Sequence, residues 1–317
     1  MTSSETPEAS DASDESDAFP PTLLGALDPG AASPLGRHSF LRRVVAEPVT
    51  ALMIQRALVM DVAHPKVAAG VEDHSSFRSH PWRRAWVTVD AGLRLVFGDT
   101  PTARGAARQI YATHDHINGS LEHQAGPWPS GTRYTAHDAG LLTWVWATLV
   151  DSAEVAYTRW VAPFTADEAD DYYGDMVAFA GFLGIPAQSL PTDRHAFAGY
   201  LETTLAGDLL GATDVGRALA HQILWFSHRS VPSAIVRVGR VLAVTTLDPR
   251  LRQRMALELD DNDARYGLRL DTRLRTYYPR LPRARAGLPT FYVRLRRPTI
   301  GLSERARSVR ARSVRAR

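Results

Sequence analysis

Apolar residues recur along this chain at three- and four-residue intervals, and alternation with period two is nearly absent. The most hydrophobic run, Asp138–Trp160 (DAGLLTWVWATLVDSAEVAYTRW), predicts a buried core helix with Asp138 as its N-cap. Val49–Ala63 predicts a second strongly apolar helix, closed by His64-Pro65. Further helices are expected over Asp167–Gly184, His195–Leu205, Asp214–Ser227, Ala234–Leu247 and Arg250–Glu258. From His64 to Trp82 the pattern reads as a short, turn-rich segment broken at Gly70. Tyr292–Arg296 is the single strand candidate, and it is short. The class is all-α.

The chemistry concentrates between Arg84 and Gly119. Arg84 and Thr88 are four apart, so on a helix they lie one turn from each other on one face. A guanidinium and a hydroxyl so placed can grip a carboxylate or a bound oxygen species. Beyond the Phe97-Gly98-Asp99 corner, a helix from about Thr102 would carry Ile110, His114 and Ile117 along one stripe. A neutral imidazole on an apolar helix face can ligate a haem iron. Two facing helices, one supplying Arg84 and Thr88 and the other His114, would form a cofactor cleft.

Plainer readings stand beside these. His114 could be an ordinary satisfied polar residue, or His116 the ligand in its place. The two are two residues apart and point about 200° apart on a helix, so they share one ion only if the helix breaks there. Arg84 could pair with an acid such as Asp151. Trp82, Trp86, Trp144 and Trp146 read as core, and His64-Pro65 and Asp73-His74-Ser75 as turn and cap residues. Asp73, His74 and Glu72 neighbour the stretch without marking a distal base.

Composition narrows the field. At 317 residues and 44% hydrophobic, the chain can fill one large domain or two small ones. It has no cysteine, which excludes disulfides, thiolate metal sites, Cys nucleophiles and thioether-attached haem. No GxGxxG after a strand, P-loop, HExxH or GxSxG is present. Lys66 is the only lysine, a bias that a GC-rich genome explains.

Charge sits at the ends. Residues 1–18 hold six acids and no base, whereas residues 269–317 hold fifteen Arg against Asp271 and Glu304. Residues 1–33 are therefore expected to be disordered, 34–279 to form one all-α domain, and 280–317 to be an Arg/Pro-rich tail. The tail ends in the pentad repeat RARSVRARSVRAR from Arg305. Clustered Arg permits weak binding to anionic surfaces, but nothing marks a specific nucleic-acid partner. With an acidic start and no apolar run of about 18 residues, neither a secretory signal nor a transmembrane helix is expected, and a cytoplasmic location follows.

An ordered set of motifs adds to this. They are Ala63-His64-Pro65-Lys66-Val67-Ala68-Ala69-Gly70, Asp73-His74-Ser75-Ser76-Phe77-Arg78, Pro81-Trp82 leading to Arg84-x-x-x-Thr88, and Val96-Phe97-Gly98-Asp99. There follow His114-x-x-Ile117-x-Gly119, Tyr134-x-Ala136-x-Asp138, Leu142-x-Trp144-Val145 and Ala147-Thr148-Leu149-Val150-Asp151-Ser152. In this order, over roughly residues 40–250, the chain resembles the bacterial MpaB/rubber oxygenase (latex-clearing-protein-like) catalytic-domain family. The resemblance implies a globin-like helical core and a haem b oxygenase acting on an apolar, unsaturated isoprenoid- or lipid-like substrate with dioxygen. It carries the Arg-x-x-x-Thr pair beside the haem onto Arg84 and Thr88, and the axial ligand onto His114. One departure stands out: many relatives have a second His where this chain has Trp146, and an indole cannot ligate iron. The alternative is a non-catalytic protein of the same fold that binds a hydrophobic ligand and has lost haem ligation.

The end compositions yield a first test. Deleting residues 1–33 and 300–317 should leave helical circular dichroism and the melting temperature nearly unchanged, because neither segment can bury a core. A large fall in melting temperature would contradict it.

Overall fold

The structure, a computed structural model, describes residues 35–36, 38–74, 81–211, 213–227 and 231–281, with the side chains of 81–85 outside that description. The Tyr292–Arg296 strand candidate and both charged ends also lie outside the described residues. The helices in chain order are α1 (Phe40–Val45), α2 (Ile54–Val62), α3 (Pro65–His74), α4 (Pro81–Phe97) and α5 (Thr100–His114). Two three-residue strands, β1 (Asn118–Ser120) and β2 (Arg133–Thr135), pair antiparallel with Gly119 opposite Tyr134. Then come α6 (Ala139–Trp160), α7 (Ala166–Phe182), α8 (Arg194–Ala206), α9 (Asp214–Leu224), α10 (Ser233–Thr246), α11 (Pro249–Arg254) and α12 (Asp261–Tyr277). The described chain is all-α apart from that small ladder.

Helix α6 is the axis. It is apolar nearly all round, as a helix enclosed by others must be. Asp138 Oδ1 accepts the Leu141 N–H and starts it, as its sequence predicts. Trp146, Ala147, Val150, Ala156, Tyr157 and Trp160 then enter the main core with residues of α1, α4, α5, α7 and α10. Trp144 points to a second core, formed with α2, α9 and α10. Helix α7 is opened by a capping box between Thr165 and Glu168, and Gly184 turns the chain out of it at φ 79°.

Several boundaries differ from the sequence expectation. The Val49–Ala63 run is divided into a 3-10 turn over Pro48–Met53 and helix α2, since Pro48 opens it without a donor. From Pro65 to His74 the segment is helical and not turn-rich, and residues 75–80 lie outside the described residues: Pro65 occupies the first position of α3, where its missing N–H costs nothing, and Gly70 is interior. Ile117 Cγ2 and the Tyr134 ring lie 3.3 and 3.5 Å from where a Cβ on Gly70 would stand. Helix α12 was not foreseen, because it buries only Asp263 and Gly267. It docks through Tyr266, Leu270 and Leu274 and through Asp271, which accepts from Arg159 and the Trp160 indole.

The charged groups between α2 and α6 are paired. Arg56 is buried, bridges to Asp151 at 2.6 Å, and donates to Ser152 Oγ and the Thr246 carbonyl. Asp151, an acid that sequence offered to Arg84, is thus held by α2. Arg56→Met should lower the free energy of unfolding by roughly 3 kcal/mol, because it strands a carboxylate at the α2–α6 contact. Arg43→Met, which loses the exposed pair with Glu168 and a cation–π contact with Phe40, should cost clearly less. Guanidinium chloride titrations of the two variants check the difference.

Candidate functional site

Helices α4 and α5 are joined by Gly98 and Asp99 alone, and Asp99 caps α5 by accepting the Thr102 N–H at 3.1 Å. So short a link makes them an antiparallel hairpin. The buried Arg94 ties it together by donating to Gln109 Oε1 across the hairpin at 2.8 Å, while Asp90 on its own helix holds it at 3.0 Å. Antiparallel pairing carries the first turns of α4 to the level of the last turns of α5. Arg84 and Thr88 in α4 and His114, the last residue of α5, therefore lie at one end of the hairpin.

The side chains at that end differ in character. Thr88 is exposed, beside the exposed apolar Trp86 and Val87. Trp86 is thus no core residue, while Trp82 and the Arg84 side chain fall outside the description. His114 is half-buried. The expected Ile110–His114–Ile117 stripe stops at His114, where α5 ends. Ile110 packs on the main core, while Ile117 turns away to α3 and Tyr134. His116 is exposed in the turn.

The residue that sequence reasoning missed is His137. Its Nε2 lies 2.7 Å from Asp115 Oδ1, and its ring is 4.5 Å from Tyr111 and 6.0 Å from His114. A lone His just before a helix cap gives no periodic signal, and only the fold brings it over the end of α5. The region thus gathers His114, His137, Asp115 and Tyr111 at the α5 terminus. Among the described residues no three His or acidic side chains are placed to hold a metal ion together. A metal at this end would need a carrier that asks one imidazole of the protein, and His114 fits that donor set.

Trp146 lies elsewhere. It is fully buried, donates to the Met176 carbonyl at 2.7 Å, and meets Tyr173 and Phe197 edge-on. Position 146 is therefore filled by packing against α7 and α8.

The remaining shared motifs form a second centre on α3. Tyr134 Oη donates to Asp73 at 2.5 Å, and burial together with that carboxylate raises the phenol pKa. His74 Nε2 lies 2.8 Å from the Asn118 carbonyl. A Cβ on Gly119 would stand 2.5 Å from Tyr134 Oη, so a larger residue there would push the tyrosine off Asp73. At the other end of α3, His64 is buried with its Nδ1 accepting the Lys66 N–H at 3.2 Å. A cavity of about 400 Å³ opens nearby between Gly126-Pro127, Leu210-Gly211, Arg217 and Arg254. Those two guanidiniums are engaged with backbone carbonyls, and neither Thr88 nor His114 lines it.

Burial, and then the nearby Lys66 charge, depress the His64 pKa from 6.5 to about 4. The unfolded chain consequently takes up the extra proton first. Stability from this residue is complete above pH 6.5 and is lost as pH falls toward about 4. The loss should reach up to roughly 3 kcal/mol. Melting curves between pH 7 and 4 should show that slope, and His64→Gln should flatten it. An unchanged slope in the variant would assign the effect to other groups.

A family model described as the catalytic domain of ER-bound oxygenase mpaB/B' and rubber oxygenase matches residues 42–277, which span α1 to α12. No curated protein and no solved structure matches the chain. The matched span takes in both centres, the α4–α5 end and α3 with its ladder. By that match the chain belongs to the mpaB/rubber oxygenase catalytic-domain family.

Proposed function

We propose that this protein is a haem b-dependent oxygenase that uses dioxygen on an apolar, unsaturated isoprenoid- or lipid-like substrate. The observation that carries the reading is the hairpin topology, which sets Arg84, Thr88 and His114 at one end although they span thirty-one positions. Family membership supports oxygenase chemistry; the donor set at that end supports haem.

In this reading His114 would supply the imidazole that holds a haem, from a helix end whose carbonyls favour proton retention on the other ring nitrogen. Arg84 and Thr88 supply charge-assisted and neutral hydrogen bonds to a carboxylate or to oxygen. Trp86 and Val87 give the same end an apolar surface suited to a hydrocarbon. His137, fixed by Asp115 and resting on Tyr111, walls the side of His114 and limits water there. Bound haem supplies the dioxygen binding and redox capacity that these side chains lack.

The second reading is a non-catalytic relative that binds a hydrophobic ligand. It draws on Trp146, whose buried, hydrogen-bonded indole fills the position where many relatives carry a histidine. Absorption spectra of protein purified with haem supplied, before and after dithionite, separate the two. The oxygenase reading expects non-covalent haem, lost in His114→Ala or restored to it by imidazole, and little changed in His116→Ala. Arg84→Ala should weaken retention without removing the axial bond. Trp146→His should cost roughly 3–5 kcal/mol through lost packing and leave the spectrum alone. A colourless protein that takes up no haem, or a new ligand spectrum in Trp146→His, would defeat this assignment.

A further inference from the structure

The chain's one lysine, Lys66, lies in the first turn of α3 and is only 8% exposed. The stem is enclosed while the ammonium itself keeps contact with solvent. Among the described residues Lys66 Nζ has neither an ion pair nor a hydrogen bond. Its recorded partner is the face of Trp128, 3.8 Å from Nζ to the ring centroid. A cation–π contact occupies one side of the ammonium and leaves its other N–H bonds unspent.

A buried imidazole and one donor without an acceptor adjoin it. His64 is 6% exposed, and because its Nδ1 accepts the Lys66 backbone N–H, the neutral ring carries its proton on Nε2. The His64 and Trp128 rings stand 6.0 Å apart. Trp128 Nε1 is itself buried with no acceptor among the described residues. The N-terminus of α3 adds positive potential at the same point. Lys66 Nζ and the unpartnered Trp128 indole thus adjoin His64 at the start of α3, with the Asp138 carboxylate acting on the same ring.

We propose that Lys66, His64 and Trp128 form a binding site for the carboxylate of an apolar acid, between the start of α3 and the turn that carries Trp128. A single negative charge is favoured over phosphate because Asp138 is close enough to act on the His64 ring while capping α6. A dianion would meet that carboxylate's repulsion more strongly. The walls are apolar: Leu121, Ala125 and Leu141 pack here with Val67, Ala69 and Ile117. The depressed pKa of His64 keeps its ring a neutral donor near pH 7. The site stands on geometry separate from the α4–α5 end, and the carboxylate can come from a free acid or from a porphyrin propionate.

Indole N–H resonances of the full-length protein test this, with the Trp128 signal identified by its absence in Trp128→Phe. Octanoate should shift that signal saturably and octan-1-ol should not. Lys66→Met should weaken octanoate binding by roughly 10- to 100-fold, the loss expected for a charge-assisted contact. Should Lys66→Met fail to fold, calorimetry on Trp128→Phe, which removes the N–H and narrows the ring under Lys66, should show a several-fold loss. A shift with haemin but not with octanoate or haemin dimethyl ester assigns the carboxylate to a porphyrin. The proposal is overturned if neither carboxylate moves the signal, or if octan-1-ol or the ester moves it as far.

Discussion

A buried indole N–H is costly to leave without an acceptor, and helix α6 meets that demand in three directions. Trp144 donates to the Met60 carbonyl of α2, Trp146 to the Met176 carbonyl of α7, and Trp160 to the Asp271 carboxylate of α12. Each bond fixes a different neighbour at a set height and rotation about the central helix. Hydrophobic burial alone would let those helices slide, since apolar surfaces are tolerant of register. The hydrogen bonds are directional and are not. The helices that carry the candidate chemistry, α3 to α5, are arranged around a frame fixed in this way.

Charge reinforces the same frame from inside. Arg56 reaches from α2 to Asp151 and Ser152 on α6, and Thr148 donates to Asp61 at 2.6 Å across the same contact. On the other flank Arg237 and Arg240 of α10 both hold Asp263 of α12, whose pKa is lowered by those guanidiniums against the opposing effect of burial. These pairs contribute less to net stability than their Coulomb energy suggests, because desolvation cancels most of it. Their larger contribution is selection, since a shifted helix would bury a charge alone.

How much of this was legible in the sequence follows from where each signal resides. Helix α6 was plain because its pattern and its Asp138 cap are local. The Arg84–Thr88 spacing and the Gly98 corner likewise foretold two helices meeting at a turn. The helical character of α3 was hidden, since Pro65 and Gly70 read locally as breakers and only Tyr134, sixty-four residues on, explains the glycine. The β1–β2 ladder is three residues a side, too short for alternation to register. Helix α12 escaped because its hold is partly electrostatic. Lys66 was visible as the only lysine, but composition cannot report burial, and its meaning emerged only with Trp128 above it.

The two centres are joined by a short rigid path. Beyond His114 the chain turns at once: the Ile117 N–H donates to the His114 carbonyl at 2.9 Å, and the Ala136 N–H to the Ile117 carbonyl at 2.8 Å. Ile117 then rests on Gly70 of α3, and Tyr134 locks to Asp73 one turn further along that helix. His137 follows Ala136 directly and folds back over Tyr111. The end of α5 and helix α3 are thus clamped by the same small ladder. This explains why motifs that look unrelated along the chain, Gly70, Asp73, Ile117, Gly119 and Tyr134, are parts of one device. They hold the imidazole end of the hairpin at a fixed distance from the Lys66 end of α3. An oxygenase needs that kind of constancy, because dioxygen chemistry requires its substrate to be held still relative to the reacting centre. If the proposed acid site and the proposed oxygenase site act on one substrate, the length of α3 would set its regiochemistry.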